Sequence, residues 1–342
     1  MKKSIFTVLA VVAFASCSND EVMNLNQEAI TFDDAFVDNS IRSAYDGSYN
    51  TDKLGEFEVY GTITNSKEET ANIFNKVKVS KTEFPNGTGD TWKYAASSTQ
   101  YWIPGNTYKF WAIAEGNVAN VTEVVANAEN KFAPTAINLL DASAQKDILL
   151  ATKICTSIPA DKTVSFTFNH LLAKAKFTVK NTITTDNGYS YKVSNIKVNT
   201  AKNGVYSIAT GLWASADTPA TYDLSFGNAV AVGTLAGADA EDIAYGKSVE
   251  SNYDRLLIPS TTTLTVQFDC ELYKDGVLIQ EEKEATSNAR TATTQQAVTL
   301  EKGKAYNFII SLGNPGEPIK FTVEGVKGWD ENHTGYNPGV NM

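Results

Sequence analysis

The sequence predicts an all-β protein of two tandem β-sandwich domains, and three observations carry that prediction. Residues that favour strands are plentiful, because Thr, Val and Ile are common and Phe, Trp and Tyr make up 11% of the chain. Apolar and polar residues alternate with a period of two in many short segments, which turn residues separate. The length of 342 residues exceeds one ordinary hydrophobic core and therefore favours two domains.

The composition narrows the possible classes of function. The 39 acidic residues outnumber the 29 basic ones, and the net charge of -10 argues against nucleic acid as a partner. The chain has two histidines, His170 and His333, which leaves few candidate residues for a metal site or for histidine-based catalysis. The sequence contains no serine-hydrolase elbow, zinc-protease motif or phosphate-binding loop. We therefore predict a protein that is not an enzyme and needs no cofactor, with a glycan hydrolase as a distant alternative.

The first residues predict export as a lipoprotein. A basic start, Met1-Lys2-Lys3, precedes an apolar run that is too short for a bilayer span of roughly 20 residues but suits a signal peptide. The run ends at Ala15-Ser16-Cys17, which resembles a lipobox, so residues 1–16 are the predicted signal peptide and Cys17 the lipidated first residue. The acidic pair Asp20-Glu21 resembles the export signal of surface lipoproteins. An outer-membrane lipoprotein that faces outwards is therefore predicted, and an ordinary signal peptide remains the alternative.

The mature chain divides into a tether and two sandwiches. Residues 17–42 form the predicted tether and first strand, which begins at Ile30-Thr31-Phe32 and extends to about Phe36. Residues 43–160 form the predicted first sandwich, with alternating segments at 57–63, 77–79, 92–94 and 108–114. Residues 133–150 are the best candidate for a helix, on weak periodicity. A turn at Pro159 to Lys162 is the predicted domain boundary.

Residues 161–342 form the predicted second sandwich. Its alternating segments lie at 164–168, 175–179, 191–193, 196–198, 256–259, 264–268, 305–310 and 319–323. Asp275-Gly276 predicts a hairpin turn between 271–273 and 277–279. An oxidising compartment would permit a disulfide between Cys155 and Cys270, but cysteines so far apart in sequence are more often separate buried apolar residues.

Several motifs, in this order, resemble the fimbrillin or Mfa-like proteins of Bacteroidales over nearly the whole chain. They are the lipobox at Cys17, the strand Ile30-Thr31-Phe32 followed by an Arg, Tyr101-Trp102-Ile103-Pro104-Gly105 with Tyr108-Lys109-Phe110-Trp111-Ala112, Phe166-Thr167-Phe168-Asn169-His170-Leu171-Leu172-Ala173-Lys174, Leu257-Ile258-Pro259-Ser260, Leu300-Glu301-Lys302-Gly303-Lys304-Ala305-Tyr306-Asn307-Phe308 and a closing strand near Trp329.

The resemblance implies two transthyretin-like β-sandwich domains and a role in pilus assembly and cell adhesion. Family members are exported as lipoproteins and cut after an Arg by a trypsin-like or gingipain-like protease. The matching bond here joins Arg42 to Ser43, with Ile41 where Thr is common. The cut removes the lipid anchor and the first strand, and a strand of a neighbouring fimbrial subunit fills the vacated groove. The residues implied in the exchanged first strand are Ile30, Thr31, Phe32 and Phe36.

Elementary physics supports such an exchange. Removal of a strand exposes unpaired backbone groups and an apolar trough, and a strand from another chain satisfies both. A head-to-tail contact of this kind produces open filaments when it does not close. The subunit could then be a stalk, tip or accessory pilin.

The main alternative is a surface lipoprotein that stays anchored in the outer membrane and binds a glycan, a host protein or a bacterial surface ligand. The processing of the N-terminus distinguishes the two hypotheses. His170 is expected to pack or hydrogen-bond at a strand end. The aromatic run at Tyr101, Trp102, Tyr108, Phe110 and Trp111 is expected to form sandwich core rather than a carbohydrate platform.

Overall fold

In a computed structural model of the full chain, the secondary structure is β-strand apart from one short 3-10 turn at Ala96–Ser98 in the residues described. The described residues are 28–37, 54–81, 92–114, 131–132, 147–183, 187–201, 204–208, 210–215, 219–224, 230–232, 248–251, 255–279 and 290–328. The predicted all-β class is therefore confirmed. Within these ranges no helix is both long and apolar enough to cross a membrane.

The first part of the chain forms a seven-stranded sheet with the order β1-β8-β7-β5-β2-β3-β4. Strand β1 runs parallel to β8, and the other neighbours are antiparallel. The strands are β1 (Thr31–Val37), β2 (Glu56–Thr64), β3 (Thr70–Lys81), β4 (Trp92–Tyr94), β5 (Thr107–Ala114), β7 (Leu149–Cys155) and β8 (Thr163–His170).

The turn at Pro159 to Lys162 does not separate two sheets. It joins β7 to β8, and both strands belong to the seven-stranded sheet. The chain passes to the next sheet at Leu171-Leu172, before β9 (Ala173–Asn181) begins. Turn residues mark a chain reversal whether or not a domain ends there, so the sequence signal was the same in both cases. The bounds 43–160 and 161–342 stay predictions, and a division by sheets would fall after His170.

The rest of the described chain forms three further sheets. A five-stranded sheet has the order β15-β9-β20-β21, with β16 beside β9, and β9 runs parallel to β20. A six-stranded sheet has the order β13-β10-β17-β18, with β14 beside β10 and β19 beside β17, and a three-stranded sheet has the order β12-β11-β6. The strands are β6 (Lys131–Phe132), β10 (Tyr189–Ala201), β11 (Gly204–Ser207), β12 (Leu212–Ser215), β13 (Pro219–Asp223), β14 (Val230–Val232), β15 (Ser248–Glu250), β16 (Arg255–Leu257), β17 (Thr261–Lys274), β18 (Val277–Leu278), β19 (Arg290–Thr299), β20 (Lys304–Leu312) and β21 (Lys320–Gly328).

Two hydrophobic clusters hold these sheets together. The first cluster lies on one face of the seven-stranded sheet and includes Phe32, Phe57 and Phe110. The second cluster joins the five-stranded and six-stranded sheets, for example through Phe177 and Val266. Inward residues of two sheets that share one core are the arrangement of a β-sandwich.

The structure shows the surroundings of Cys155, Cys270 and His170. Cys155 is buried, Cys270 is half-buried, and the two form no disulfide. His170 ends β8, and its Nδ1 contacts the carboxylate of Asp147, a residue that is also buried. The expectation that His170 hydrogen-bonds at a strand end is confirmed.

Candidate functional site

The candidate site is the groove that holds the first strand in the seven-stranded sheet. Ile30 and Phe32 lie in it with 0% and 3% of their surface exposed. The adjacent residues Thr31 and Asp33 face solvent. This alternation follows from the extended backbone, in which successive side chains point to opposite faces. We call the surface beneath Ile30 and Phe32 the first-strand groove, and its floor is a set of aromatic rings.

Phe32 lies at the centre of that floor. Its ring stacks on Phe166 of β8 with centroids 5.7 Å apart and an interplanar angle of 16°. The other four rings meet it edge to face, which is a favourable geometry for aromatic pairs. Their centroids lie 5.5 Å (Phe74), 5.6 Å (Tyr94), 6.2 Å (Phe110) and 6.3 Å (Phe57) from that of Phe32. Five different strands therefore converge on one side chain of β1.

Gly61 of β2 makes room for two of these rings. A Cβ atom at this position would lie 3.0 Å from ring atoms of both Phe74 and Phe110. The pairing of β2 with β3 also shifts register on either side of Gly61, as expected where glycine marks an irregularity in a strand. The rings beneath Phe32 can therefore approach the β2 backbone directly.

Backbone hydrogen bonds fix the register of the first strand. On one side it pairs in parallel with β8, with Phe32 opposite Val164. On the other side, the Ile30 N–H donates to the Gln100 carbonyl at 2.8 Å, and the Trp102 N–H donates to the Glu28 carbonyl at 3.0 Å. Residues 28–30 are therefore held along one edge, and residues 31–33 along the other.

Two side chains complete the hydrogen bonding at the start of the groove. The Tyr94 hydroxyl donates to the Ile30 carbonyl at 2.5 Å, and burial raises the pKa of the Tyr94 phenol, so it stays a donor. The Trp102 indole N–H donates to the Lys162 carbonyl at 2.8 Å. The Lys162 ammonium lies 3.2 Å from the Glu28 carboxylate, but this pair is exposed and worth little.

The sequence-predicted site residues have different outcomes. Ile30 and Phe32 lie in the groove, and Thr31 is exposed beside them. The backbone of Phe36 pairs with Thr167, after a register shift between Asp33 and Phe36. The predicted lipidation residue Cys17 and the predicted cleavage residues Arg42 and Ser43 lie outside the described residues.

Sequence reasoning missed most of the groove. The contributions of Tyr94, Gln100 and Lys162 depend on contacts between distant segments, so no local pattern could reveal them. Gly61 did carry a signal, because a glycine inside an alternating strand indicates close approach or a bulge. Of the aromatic run, Trp102, Tyr108, Phe110 and Trp111 are buried, as expected of core, whereas Tyr101 is 45% exposed.

An all-β fold whose candidate site is an apolar groove that holds a strand is typical of a structural or binding protein. The sequence model of the fimbrillin-like family matches residues 43–329. The chain therefore belongs to the fimbrillin-like family, which confirms the resemblance seen in the sequence. Membership of this fimbrial family makes the chain a structural protein rather than an enzyme and supports a role as a pilus subunit.

Comparison with solved structures adds a similarity of fold. A fimbrial protein from Bacteroides vulgatus is 17% identical, with a TM-score of 0.58 over 88% of this chain and 99% of that chain. A candidate cell adhesion protein from Bacteroides ovatus is 14% identical, with a TM-score of 0.47 over 88% and 96%. The fimbrial anchor protein Mfa2 from Porphyromonas gingivalis is 11% identical, with a TM-score of 0.37 over 88% and 97%. No curated protein matches the sequence.

Proposed function

We propose that this chain is a pilus subunit that is exported as a lipoprotein and joins its neighbours by exchange of the first strand. One observation carries the proposal: the core of the seven-stranded sheet is completed by Ile30 and Phe32, which belong to the N-terminal segment before Arg42. A single cut after Arg42 would therefore separate two core residues from the rest of the chain.

The energetics favour replacement of the strand over an empty groove. Burial of an Ile or Phe side chain contributes about 1.5–3 kcal/mol each, so loss of the strand would expose a strongly apolar trough. The N–H and C=O groups of β8 that pair with β1 would lose their partners as well. An incoming strand restores both kinds of contact, which is the principle of β-augmentation.

The position of Arg42 suits the removal of the first strand by a single cut. It lies between β1, which ends at Val37, and β2, which begins at Glu56. Cleavage there would leave β2 and all later strands on one chain. It would also detach the proposed lipid anchor at Cys17, so that release from the outer membrane and opening of the groove become one event. The fimbrial family supports a location at the cell surface, and the lipid anchor is the proposed route to it.

The experiment is intact-mass analysis and N-terminal sequencing of protein shed from cells. We expect a mature start at Ser43 for the natural chain and loss of this product for Arg42→Ala. Lys53 is the other basic residue between β1 and β2, so Lys53→Ala is the matched control and should keep the start at Ser43. A lipidated Cys17 that persists in all three samples would overturn the proposal and favour the permanently anchored surface lipoprotein.

A further inference from the structure

The first-strand groove distinguishes positions along the strand that it holds. Positions 30 and 32 are fully enclosed, whereas positions 31 and 33 are exposed. An occupant therefore needs apolar side chains two residues apart and tolerates polar ones between them. A charged side chain at either enclosed position would be buried without a partner, at a high cost.

The two enclosed positions also differ from each other. At position 32 one ring stacks on the occupant and four others present their edges, so the site is shaped for a flat aromatic ring. At position 30 the occupant is aliphatic. Its backbone is fixed by the Gln100 carbonyl and the Tyr94 hydroxyl.

These hydrogen bonds prevent the occupant from sliding to a better fit. We call the five rings around position 32 the aromatic cage; they belong to Phe57, Phe74, Tyr94, Phe110 and Phe166. A shift of the occupant by one residue would point its polar side chains into this cage. The backbone contacts at position 30 therefore determine which residue reaches the cage at position 32. The order of the two apolar residues becomes part of what is recognised, and apolar content alone is not sufficient.

We propose that the first-strand groove selects its incoming strand by an aliphatic residue at position 30 followed by an aromatic residue at position 32, read in the parallel direction along β8, and sets no requirement at the exposed positions 31 and 33. The occupant is an extended segment of another fimbrial subunit in which an aromatic residue follows a branched aliphatic one by two positions. This inference rests on the proposed strand exchange and specifies the partner that the exchange accepts.

The test uses the exported chain with Phe32→Ala, which weakens its own first strand but leaves the floor of the groove intact. A fluorescent peptide with the sequence of residues 28–37 is added, and binding is measured by anisotropy. We expect binding to this variant and none to the natural chain, whose tethered strand competes at high effective concentration. A chain with Phe32→Leu is used in parallel in case the alanine variant does not fold.

Three altered peptides test the order of residues. Phe32→Ala in the peptide should weaken binding at least about 100-fold, because a ring is lost from a packed site. Thr31→Ala, on the exposed face, should change it less than about 3-fold. The decisive peptide exchanges Ile30 and Phe32, which keeps the composition, and it should bind about 10-fold more weakly or worse.

The outcomes separate this inference from the proposed function. Equal binding of the natural and exchanged peptides would overturn the recognition of order while leaving strand exchange intact. Failure of every peptide to bind either variant would overturn the groove as a strand acceptor. Selective binding by the groove, together with an uncut Arg42 in cells, would support the recognition and refute only the proposed processing.

Discussion

At the scale of single residues, a few polar atoms complete a groove that is otherwise apolar. Tyr94 satisfies the Ile30 carbonyl, and Trp102 satisfies the Lys162 carbonyl at the turn into β8. These donors matter because a buried carbonyl without a partner costs about 1–3 kcal/mol. The side chains that shape the groove therefore also secure the ends of the strands that form it.

A second polar contact holds the far end of β8. The pairing of β7 with β8 is limited to Leu149 with His170 and Leu150 with Asn169. At this point Asp147 contacts His170 and accepts a hydrogen bond from the Ile148 N–H at 2.8 Å. Buried polar side chains in folded proteins are usually hydrogen-bonded in this way. The pair thus anchors β8 where its backbone pairing to β7 is short.

The two thiols give a prediction at the same scale. Burial raises the pKa of Cys155, and burial with the nearby Glu271 raises the pKa of Cys270 to about 11. Because only the thiolate is nucleophilic, both residues should react slowly with iodoacetamide at pH 8 in the native protein. In urea, where a thiol has its ordinary pKa of about 8.5, both should react rapidly without a reductant. A mass-spectrometric time course measures this, and thiols that react in urea only after reduction would contradict it.

At the scale of strands, alternation predicted the amphipathic elements well. The segments predicted at 57–63, 92–94 and 108–114 correspond to β2, β4 and β5, and Asp275-Gly276 does turn between β17 and β18. The predicted pair at 191–193 and 196–198 is one strand, β10, interrupted where the pairing with β17 shifts register. An interruption of the apolar pattern therefore reflected a bulge rather than a loop.

Several strands escaped the pattern, and two of them, β7 and β19, did so for opposite reasons. Strand β19 has the sequence Arg-Thr-Ala-Thr-Thr-Gln-Gln-Ala-Val-Thr, which is too polar to alternate visibly. Strand β7 begins with Leu149 and Leu150 at the end of the segment 133–150 that was the best helix candidate; residues 133–146 lie outside the described residues. A continuous apolar run does not distinguish a buried strand from a helix. The predicted end of that helix was therefore wrong.

The groove could be predicted only in part, because local patterns do not show which distant strands meet. Ile30 and Phe32 were found because their spacing is local and because the family resemblance pointed to a first strand. The rings beneath them come from β2, β3, β4, β5 and β8, and nothing local in the sequence brings those strands together. The parallel pairing of β1 with β8 is equally non-local.

Gly61 supports a prediction about the strands that form the floor. Gly61→Ala should destabilise the protein by about 1–3 kcal/mol, because the new Cβ would press on Phe74 and Phe110 in a packed core. The urea midpoint of unfolding measures the loss. The double variant Gly61→Ala with Phe110→Leu should cost less than the sum of the two single changes, since the smaller side chain returns the space. If the two losses of stability were additive, contact of the new Cβ with the rings beneath Phe32 would not be the reason why Gly61→Ala destabilises the protein.

At the scale of the whole molecule, the seven-stranded sheet is buried on both faces near its centre. Phe110 points into the first cluster, and the next residue, Trp111, belongs to the second cluster with Tyr60 and Ile113. The second cluster also contains Phe177 of β9 and Phe308 of β20, whose rings stack 5.2 Å apart. One face of the seven-stranded sheet therefore forms the first-strand groove, and the opposite face packs into the core that the later sheets share.

This arrangement predicts different responses to two adjacent substitutions in β5. Trp111→Ala should increase amide hydrogen exchange in β9 and β20 as well as in β5, because it opens a cavity in the cluster that these strands share. Phe110→Ala should increase exchange mainly in β1, β2 and β8, because its cavity lies in the first cluster. Both changes remove a large aromatic side chain from one strand, so each serves as the control for the other, and exchange followed by mass spectrometry reads all segments at once. If both variants increased exchange only within the seven-stranded sheet, the later sheets would be independent of it, and occupation of the groove would be felt by the first sheet alone.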